Sequence, residues 1–156
     1  MTHPNEALLT QFYEAFAARD GETMASCYAE DASFSDPVFP DLDGREAGGM
    51  WRMLTSRAAD LRIEHSQIQA NDETGSAHWE AWYTFSATGR KVHNVIDARF
   101  RFRDGKIIEH IDTFDFGRWS RQAIGMPAIL LGWTGAIQKK VRATAGGQLK
   151  KYLASH

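Results

Sequence analysis

The spacing of apolar residues changes near Leu61, and this change limits the possible folds more than any other feature of the sequence. From Leu61 to Phe116, large apolar side chains recur at every second position over more than fifty residues. That period is typical of β-strands with one buried face, whereas the residues before Leu61 follow the period of 3.6 that indicates helices. Helices followed by a run of strands predict an α+β fold rather than an alternating βαβ order.

Four strands account for the alternating segment. They are predicted over Leu61–His65, Trp79–Phe85, Val92–Phe102 and Ile107–Phe116. Residues that favour tight turns separate them at Asn71–Gly75, Thr88–Gly89 and Asp104–Gly105. The order therefore predicts a meander of neighbouring strands.

Two helices are predicted at the start of the chain. Apolar residues at helical spacing, among them Leu8, Phe12 and Phe16, indicate a helix from Pro4 to Arg19. Asp20 is placed to cap a shorter helix over Thr23–Tyr28, because its side chain can accept from the free N–H groups of the first turn.

A short strand and a third helix follow. Ala32–Asp36 alternates as a strand does, and Pro37 and Pro40 end it in an irregular loop. Asp43 with Glu46 three residues later forms a capping-box pattern, which predicts a helix that turns Met50, Trp51 and Leu54 inward.

This order predicts a cone-shaped, curved mixed sheet wrapped around the N-terminal helices. Such a cone encloses an apolar pocket between the helices and the concave face of the sheet. Aromatic residues are usually buried in the hydrophobic core, but some of them must line any cavity that the cone contains. The candidates for this lining are Phe12, Phe16, Trp51, Trp79 and Trp82.

Composition excludes several classes of protein. The 156 residues suit one domain, and a net charge of −2 argues against a nucleic-acid binder. The single cysteine, Cys27, can form neither an internal disulfide nor a cysteine-based zinc site. The histidines lack metal-ligand spacing, so we expect no metal and no cofactor. Neither a signal peptide nor an apolar run long enough to span a bilayer is visible, which predicts a cytoplasmic protein.

The last thirty residues follow a different pattern from the strands. We place a boundary at residues 125 and 126, with a helical extension over 126–156 that packs on the same domain or on a dimer partner. Its apolar stripe includes Leu130, Trp133, Ile137 and Val141. Gly146-Gly147 is expected to break this helix. A basic amphipathic helix can also lie on a membrane surface, which is the less favoured alternative because the chain is not basic.

Three stretches of the chain resemble the nuclear transport factor 2-like superfold, within it the SnoaL-like and ketosteroid isomerase-like branch. They are FYEAFAARDGETMASCYAEDASFSDPVF, GREAGGMW and VIDARFRFRDGKIIEHIDTFDFGRWSRQAIG. The resemblance covers roughly residues 6 to 125 and implies the cone fold and a homodimer through the outer sheet face. Phe100 and Phe102, if exposed, or the final helix would supply the apolar contact. The branch includes isomerases, polyketide cyclases, epoxide hydrolases, dehydratases and domains without a known reaction.

Asp36 is the first candidate catalytic residue. It precedes Pro37 and has apolar neighbours, so burial in the pocket would raise its pKa toward that of a useful base. The resemblance places it on the general base of the isomerases. The alternative is an aspartate that caps a proline-rich turn.

The resemblance places Asp97 on the oxyanion-hole aspartic acid of the isomerases. That family is the standard example of a carboxylic acid that an apolar site keeps neutral, so that it can donate a hydrogen bond. Strand alternation, however, puts Asp97 on the side of Arg99, Arg101 and Arg103. A role in the site requires either that the arginine face bends into solvent after Asp97 or that a bulge switches the faces. The alternative is a structural aspartate paired with Arg99 or another surface arginine. The isomerases' oxyanion tyrosine corresponds to Phe12, which has no hydroxyl, so steroid isomerisation by that mechanism is doubtful.

His110 and Asp112 lie two residues apart on a predicted strand and therefore face the same side among apolar neighbours. A histidine beside a carboxylate is a plausible acid/base pair, although a buried structural pair fits the pattern equally well. The resemblance places Asp112 on an acidic position of SnoaL-like cyclases and limonene epoxide hydrolases. The Arg-x-Asp of those hydrolases corresponds here to Ala81 and Tyr83, so their arrangement for activating water is incomplete.

Taken together, these residues predict a cofactor-independent acid/base enzyme for a small hydrophobic substrate, of the isomerase, cyclase, dehydratase or epoxide-hydrolase type. The catalytic candidates are Asp36, Asp112, His110 and Asp97. The alternative is a non-catalytic domain of the same fold that binds an apolar ligand or a protein partner.

Overall fold

A computed structural model describes residues 3–57, 59–125 and 135–155 of the chain. The described elements run in the order α1 (Pro4–Ala17), α2 (Gly21–Ser26), β1 (Tyr28–Ser35), β2 (Leu42–Asp43), α3 (Gly44–Arg57), β3 (Arg62–Ala70), β4 (Thr74–Phe85), β5 (Arg90–Arg103), β6 (Lys106–Thr113), α4 (Phe116–Ala123) and α5 (Gly135–Ser155). The predicted α+β class is confirmed. Leu130 and Trp133 of the predicted C-terminal stripe lie outside the described residues.

The six strands form one mixed sheet in the order β2-β1-β6-β5-β4-β3. Strands β3 to β6 pair antiparallel as a meander, and β1 joins β6 in parallel. Helix α1 packs against β3, and α3 packs against β1. The helices α1 and α3 therefore cover one face of the sheet, and the core lies between these helices and the sheet.

The capping residues predicted for two helices are confirmed. The Asp20 carboxylate accepts from the Thr23 backbone N–H at 3.1 Å at the start of α2. At α3, the Glu46 N–H donates to Asp43 Oδ1 at 2.8 Å, and the Asp43 N–H donates to Glu46 Oε1 at 3.0 Å. This reciprocal pair satisfies two free N–H groups and fixes where α3 begins, beside the loop after β1.

Two element boundaries differ from the prediction near the site. Tyr28 was expected at the end of α2, but it begins β1, which runs to Ser35. The last strand was expected to reach Phe116 and instead ends at Thr113. The Asp115 carboxylate accepts from the Arg118 N–H at 3.0 Å, and this cap starts α4.

The predicted break at Gly146-Gly147 is wrong, because α5 continues through both glycines to Ser155. Leu149 is buried in the main core, and a side chain at Gly49 of α3 would collide with Leu153. Packing against α3 thus outweighs the helix penalty of about 1 kcal/mol that each glycine carries. Within the described part of the chain, none of the helices is long and apolar enough to cross a membrane.

Phe100 and Phe102 are buried, with 2% and 6% of their surface exposed. They belong to the core cluster and are not available to a partner. Alternation along β5 places them on the inner face and the intervening arginine, Arg101, on the outer face. A homodimer stays a prediction, and these two residues do not supply its contact.

Candidate active site

A buried histidine–carboxylate pair lies on β6. His110 Nε2 is 2.7 Å from Asp112 Oδ1, and the two residues are 0% and 3% exposed. They face the same side because they are two positions apart on a strand, as the sequence predicted. In the register with β5, Asp112 lies opposite Ala98 and His110 opposite Phe100. The pair therefore occupies the inner face, beneath the helices.

The pair continues into a longer chain of hydrogen bonds. Tyr28 Oη is 2.7 Å from His110 Nδ1, and the Trp51 indole N–H donates to Tyr28 Oη at 2.8 Å. A neutral imidazole that accepts from the phenol at Nδ1 carries its hydrogen on Nε2, which then donates to Asp112. Burial raises the pKa of Tyr28 well above its ordinary value, so the phenol keeps its hydrogen. The histidine is thus held from both ring nitrogens.

Asp36 follows directly after β1 and turns its carboxylate back onto its own loop. Oδ1 accepts from the backbone N–H of Val38 at 2.7 Å and of Phe39 at 2.6 Å. Removal from water, together with the nearby negative charge of Asp112, raises the pKa of Asp36 from 3.8 to about 7, against the lowering effect of these two bonds. Oδ2 makes no hydrogen bond within the described residues. Although the residue is only half-buried, its carboxyl group is shielded enough to be half-protonated near neutrality.

Helix α5 holds the loop that carries Asp36. Arg142 Nε and Gln138 Nε2 both donate to the backbone carbonyl of Pro37, at 2.9 Å and 3.1 Å. The positive charge of Arg142 lowers the pKa of Asp36 and so partly offsets the effect of burial. The C-terminal extension therefore contributes a charged group beside the candidate site.

A cleft of about 360 Å³ lies between this loop and α5. Its walls combine apolar side chains of the loop and the helix with charged groups at the edge. They include Val38, Phe39, Leu42, Leu149, Arg142 and Lys150. The cleft borders the loop held by Asp36, although Asp36 itself does not line it.

Aromatic rings surround the histidine–carboxylate pair. Phe12, Phe16, Trp51 and Trp79 are all buried, as expected for residues facing the interior. The centroid of the Phe12 ring lies 5.7 Å from those of Trp51 and His110, and Phe16 lies 5.2 Å from Trp79. Most of these contacts are edge-to-face or tilted, the arrangements that aromatic pairs prefer. The rings pack against one another and against His110, and none of them lines the cleft between the Asp36 loop and α5. A ligand pocket lined by these rings therefore stays a prediction.

Two candidates from the sequence lie outside this site, on the outer face of the sheet. The Asp97 side chain is 79% exposed and accepts from His78 Nδ1 at 2.9 Å. Trp82 is half-buried and stacks on His93 with ring centroids 4.5 Å apart. The expected roles of Asp97 as a hydrogen-bond donor in the site and of Trp82 as a wall of the pocket do not fit this placement.

Strand register explains the position of Asp97. The pairing of β4 with β5 is unbroken from Thr74 to Phe85, and the irregularity between β5 and β6 falls after Arg101. No bulge therefore switches the faces near Asp97, and it shares the outer face with the arginines. Its partner is a histidine rather than the arginine considered from the sequence.

Sequence reasoning missed two tyrosines of the site. Tyr28 was hidden by its assignment to a helix, and alternation along β1 does not reveal it either, because the register shifts between Tyr28 and Ser33 and Glu30 is exposed. Tyr13, the neighbour of Phe12 on α1, is also fully buried, because α1 turns a broad face into the cone. Within residues 3–57, 59–125 and 135–155, no group of three or more His, Cys, Asp or Glu side chains is arranged to bind a metal.

Comparison with known proteins identifies the fold. The sequence model of the SnoaL-like domain matches residues 9–110, more than half of the chain. No curated protein is significantly similar to the chain in sequence. An NTF2-like protein of unknown function from Burkholderia pseudomallei has a TM-score of 0.68 at 19% identity, with 78% of this chain and 98% of that chain covered.

Two further structures are similar to this one. IdmH from Streptomyces antibioticus, a protein proposed to be a polyketide cyclase, gives a TM-score of 0.65 at 24% identity and covers 80% of this chain and 100% of its own. An LEH-like epoxide hydrolase from M. tuberculosis gives 0.63 at 17% identity, with coverage of 83% and 96%. At these identities the similarity shows the fold, and the fold does not determine the reaction.

Proposed function

The chain belongs to the SnoaL-like domain family, and on that premise we propose that it is a cofactor-independent acid/base enzyme that acts on a small hydrophobic substrate. The observation that carries this proposal is Asp36. Its carboxyl group is shielded from water beside Asp112, and its pKa is raised to about 7. A general acid or base works best when its pKa lies near the working pH.

The two acids have different surroundings and therefore different roles. Asp36 exchanges a proton with the substrate, because it is the group that changes charge near neutrality. Asp112 is hydrogen-bonded to His110 at 2.7 Å, and its negative charge raises the pKa of Asp36. Together with His110 it returns a proton or orients water.

The surrounding rings account for the preference for an apolar substrate. Phe12 and Trp51 contact His110, and Trp79 contacts Asp112. Phe16 packs against Trp51 and Trp79. A low-dielectric wall strengthens the electrostatic interactions inside the site and excludes bulk water from the reacting groups. Isomerisation, cyclisation, dehydration and epoxide hydrolysis all fit this arrangement.

Paired substitutions test the proposal once a screen of hydrophobic ketones, polyketides and epoxides has found a substrate. Asp36→Asn keeps an oxygen that can accept from Val38 and Phe39 but removes the titrating group. We expect it to lower kcat by about 10²–10⁴-fold, the usual contribution of a general acid or base. Asp97→Asn makes the same chemical change on the outer face and serves as the control. Full activity of Asp36→Asn, or an equal loss in the control, would contradict the proposal.

The cleft between the loop and α5 favours a second candidate function, an apolar-ligand-binding domain without catalysis. Its volume of about 360 Å³ and its apolar walls suit part of a small hydrophobic molecule. This candidate predicts ligands that bind with unchanged affinity in Asp36→Asn and Asp112→Asn and are never converted. Detectable turnover by the parent protein, lost in either variant, would exclude it.

A further inference from the structure

Two buried oxygen atoms, one of them in the His110–Asp112 pair, have no hydrogen-bond partner within the described residues. They are Tyr13 Oη on α1 and Asp112 Oδ2 on β6, in residues that are 0% and 3% exposed. Buried polar groups are almost always hydrogen-bonded to protein or to ordered water. Two such atoms in one region indicate a bound group that serves both.

Tyr13 and Asp112 both contact Trp79. The Tyr13 ring lies 6.1 Å from that of Trp79, whose N–H points to Asp112 Oδ1 at 3.5 Å. The negative charge of Asp112, together with burial, raises the pKa of Tyr13 well above its ordinary value. The phenol therefore keeps its hydrogen and is a donor, whereas a carboxylate oxygen is an acceptor.

We propose that the Tyr13 hydroxyl and Asp112 Oδ2 hold one water molecule between them, and that Tyr13 is a positioning residue of the site. Water accepts from the phenol and donates to the carboxylate, so it satisfies both atoms. A carbonyl oxygen only accepts and would leave Asp112 Oδ2 unpaired. The water is thereby oriented with a hydrogen toward the Asp112–His110 pair.

That Tyr13 acts during turnover depends on the proposed function, whereas the presence of the bound water does not. The water can be tested without any substrate, so failure of the proposed function leaves that test intact.

A crystal structure of the unliganded protein gives the first test. We expect an ordered peak about 2.5–3.0 Å from both oxygens. Tyr13→Phe should abolish the peak. Tyr83→Phe should preserve it, because this control removes a hydroxyl that already accepts from the Trp119 N–H at 2.7 Å. A direct hydrogen bond between Tyr13 and Asp112, or a wild-type site without density, would overturn the proposal.

Nuclear magnetic resonance of the Trp79 indole N–H gives a second test in solution. A long-lived water beside Asp112 should give a cross-peak to this proton in the wild type and in Tyr83→Phe, and none in Tyr13→Phe. Assignment by Trp79→Phe identifies the signal. Equal cross-peaks in the wild type and Tyr13→Phe would contradict a water held by Tyr13.

The direction of the stability change gives the third test. If water pairs with Tyr13, Tyr13→Phe breaks a hydrogen bond and lowers the urea midpoint. If the hydroxyl is truly unpaired, the same change removes a buried polar group and raises the midpoint, which would overturn the proposal. With a substrate in hand, Tyr13→Phe should reduce kcat while KM stays unchanged. Unchanged kcat after loss of the water would reject the positioning role and leave the acid/base proposal standing.

Discussion

Replacing Asp36 by Asn should change how the stability of the protein depends on pH. The folded protein keeps the Asp36 proton up to about pH 7, whereas the unfolded chain loses it near 3.8. Between these values unfolding releases a proton, so wild-type stability falls as pH rises. Asn cannot titrate, and its side-chain oxygen can still accept from the backbone N–H groups of Val38 and Phe39. The variant should therefore lack this decline.

The magnitude follows from the pKa of Asp36 in the two states. One pKa unit corresponds to about 1.4 kcal/mol, so a pKa that moves from 3.8 to about 7 costs the ionised folded protein about 4 kcal/mol. About 3 kcal/mol of that cost develops between roughly pH 4.5 and pH 8. Relative to the wild type, Asp36→Asn should gain this amount of unfolding free energy over that range.

Urea denaturation at a series of pH values measures the effect. Asp97→Asn is the matched control, because it makes the same chemical change at a mostly exposed side chain on the outer face of the sheet. Parallel profiles for Asp36→Asn and the wild type would refute the reasoning, because they would mean that Asp36 ionises equally easily in both states. A difference that grows as pH falls would contradict the sign of the shift.

Three further substitutions test neighbouring contacts. Arg142→Ala should raise the pKa of Asp36 above its wild-type value, because the substitution removes a nearby positive charge. A ¹³C-carboxyl titration measures this pKa, and an unchanged or lower value would contradict the prediction. Tyr28→Phe should lower the free energy of unfolding by about 1–3 kcal/mol, because it removes the hydroxyl bonded to His110; urea melts that coincide with the wild type would count against that bond. Leu149→Ala should cost about 2–5 kcal/mol if α5 packs on the core, and a cost below about 0.5 kcal/mol would mean that it does not.

Alternation by two residues made much of the sheet and part of the site predictable. It placed His110 and Asp112 on one face and set Phe100 and Phe102 opposite the arginines of β5, as the structure has them. The same rule already argued against Asp97, and the unbroken register confirms its outer position. Patterns that depend on local geometry therefore carried over to the structure.

The parts that could not be predicted depend on contacts between distant segments. Neither the Tyr28–His110 bond nor the Arg142–Pro37 bond has a local signal, since each joins residues far apart in the chain. The continuity of α5 through its glycines likewise depends on packing against α3. The raised pKa of Asp36 is a consequence of the same long-range contacts, because burial and Asp112 cause it.

A ¹³C-carboxyl titration of Asp36 in the wild-type protein, assigned with Asp36→Asn, tests most directly whether the fold raises the pKa of this carboxyl group. A midpoint close to 7 is the predicted result, because burial and the negative charge of Asp112 both disfavour the ionised carboxylate. A midpoint near 4, that of an aspartate in open solvent, would contradict the account and leave the fold without its proton-exchanging group.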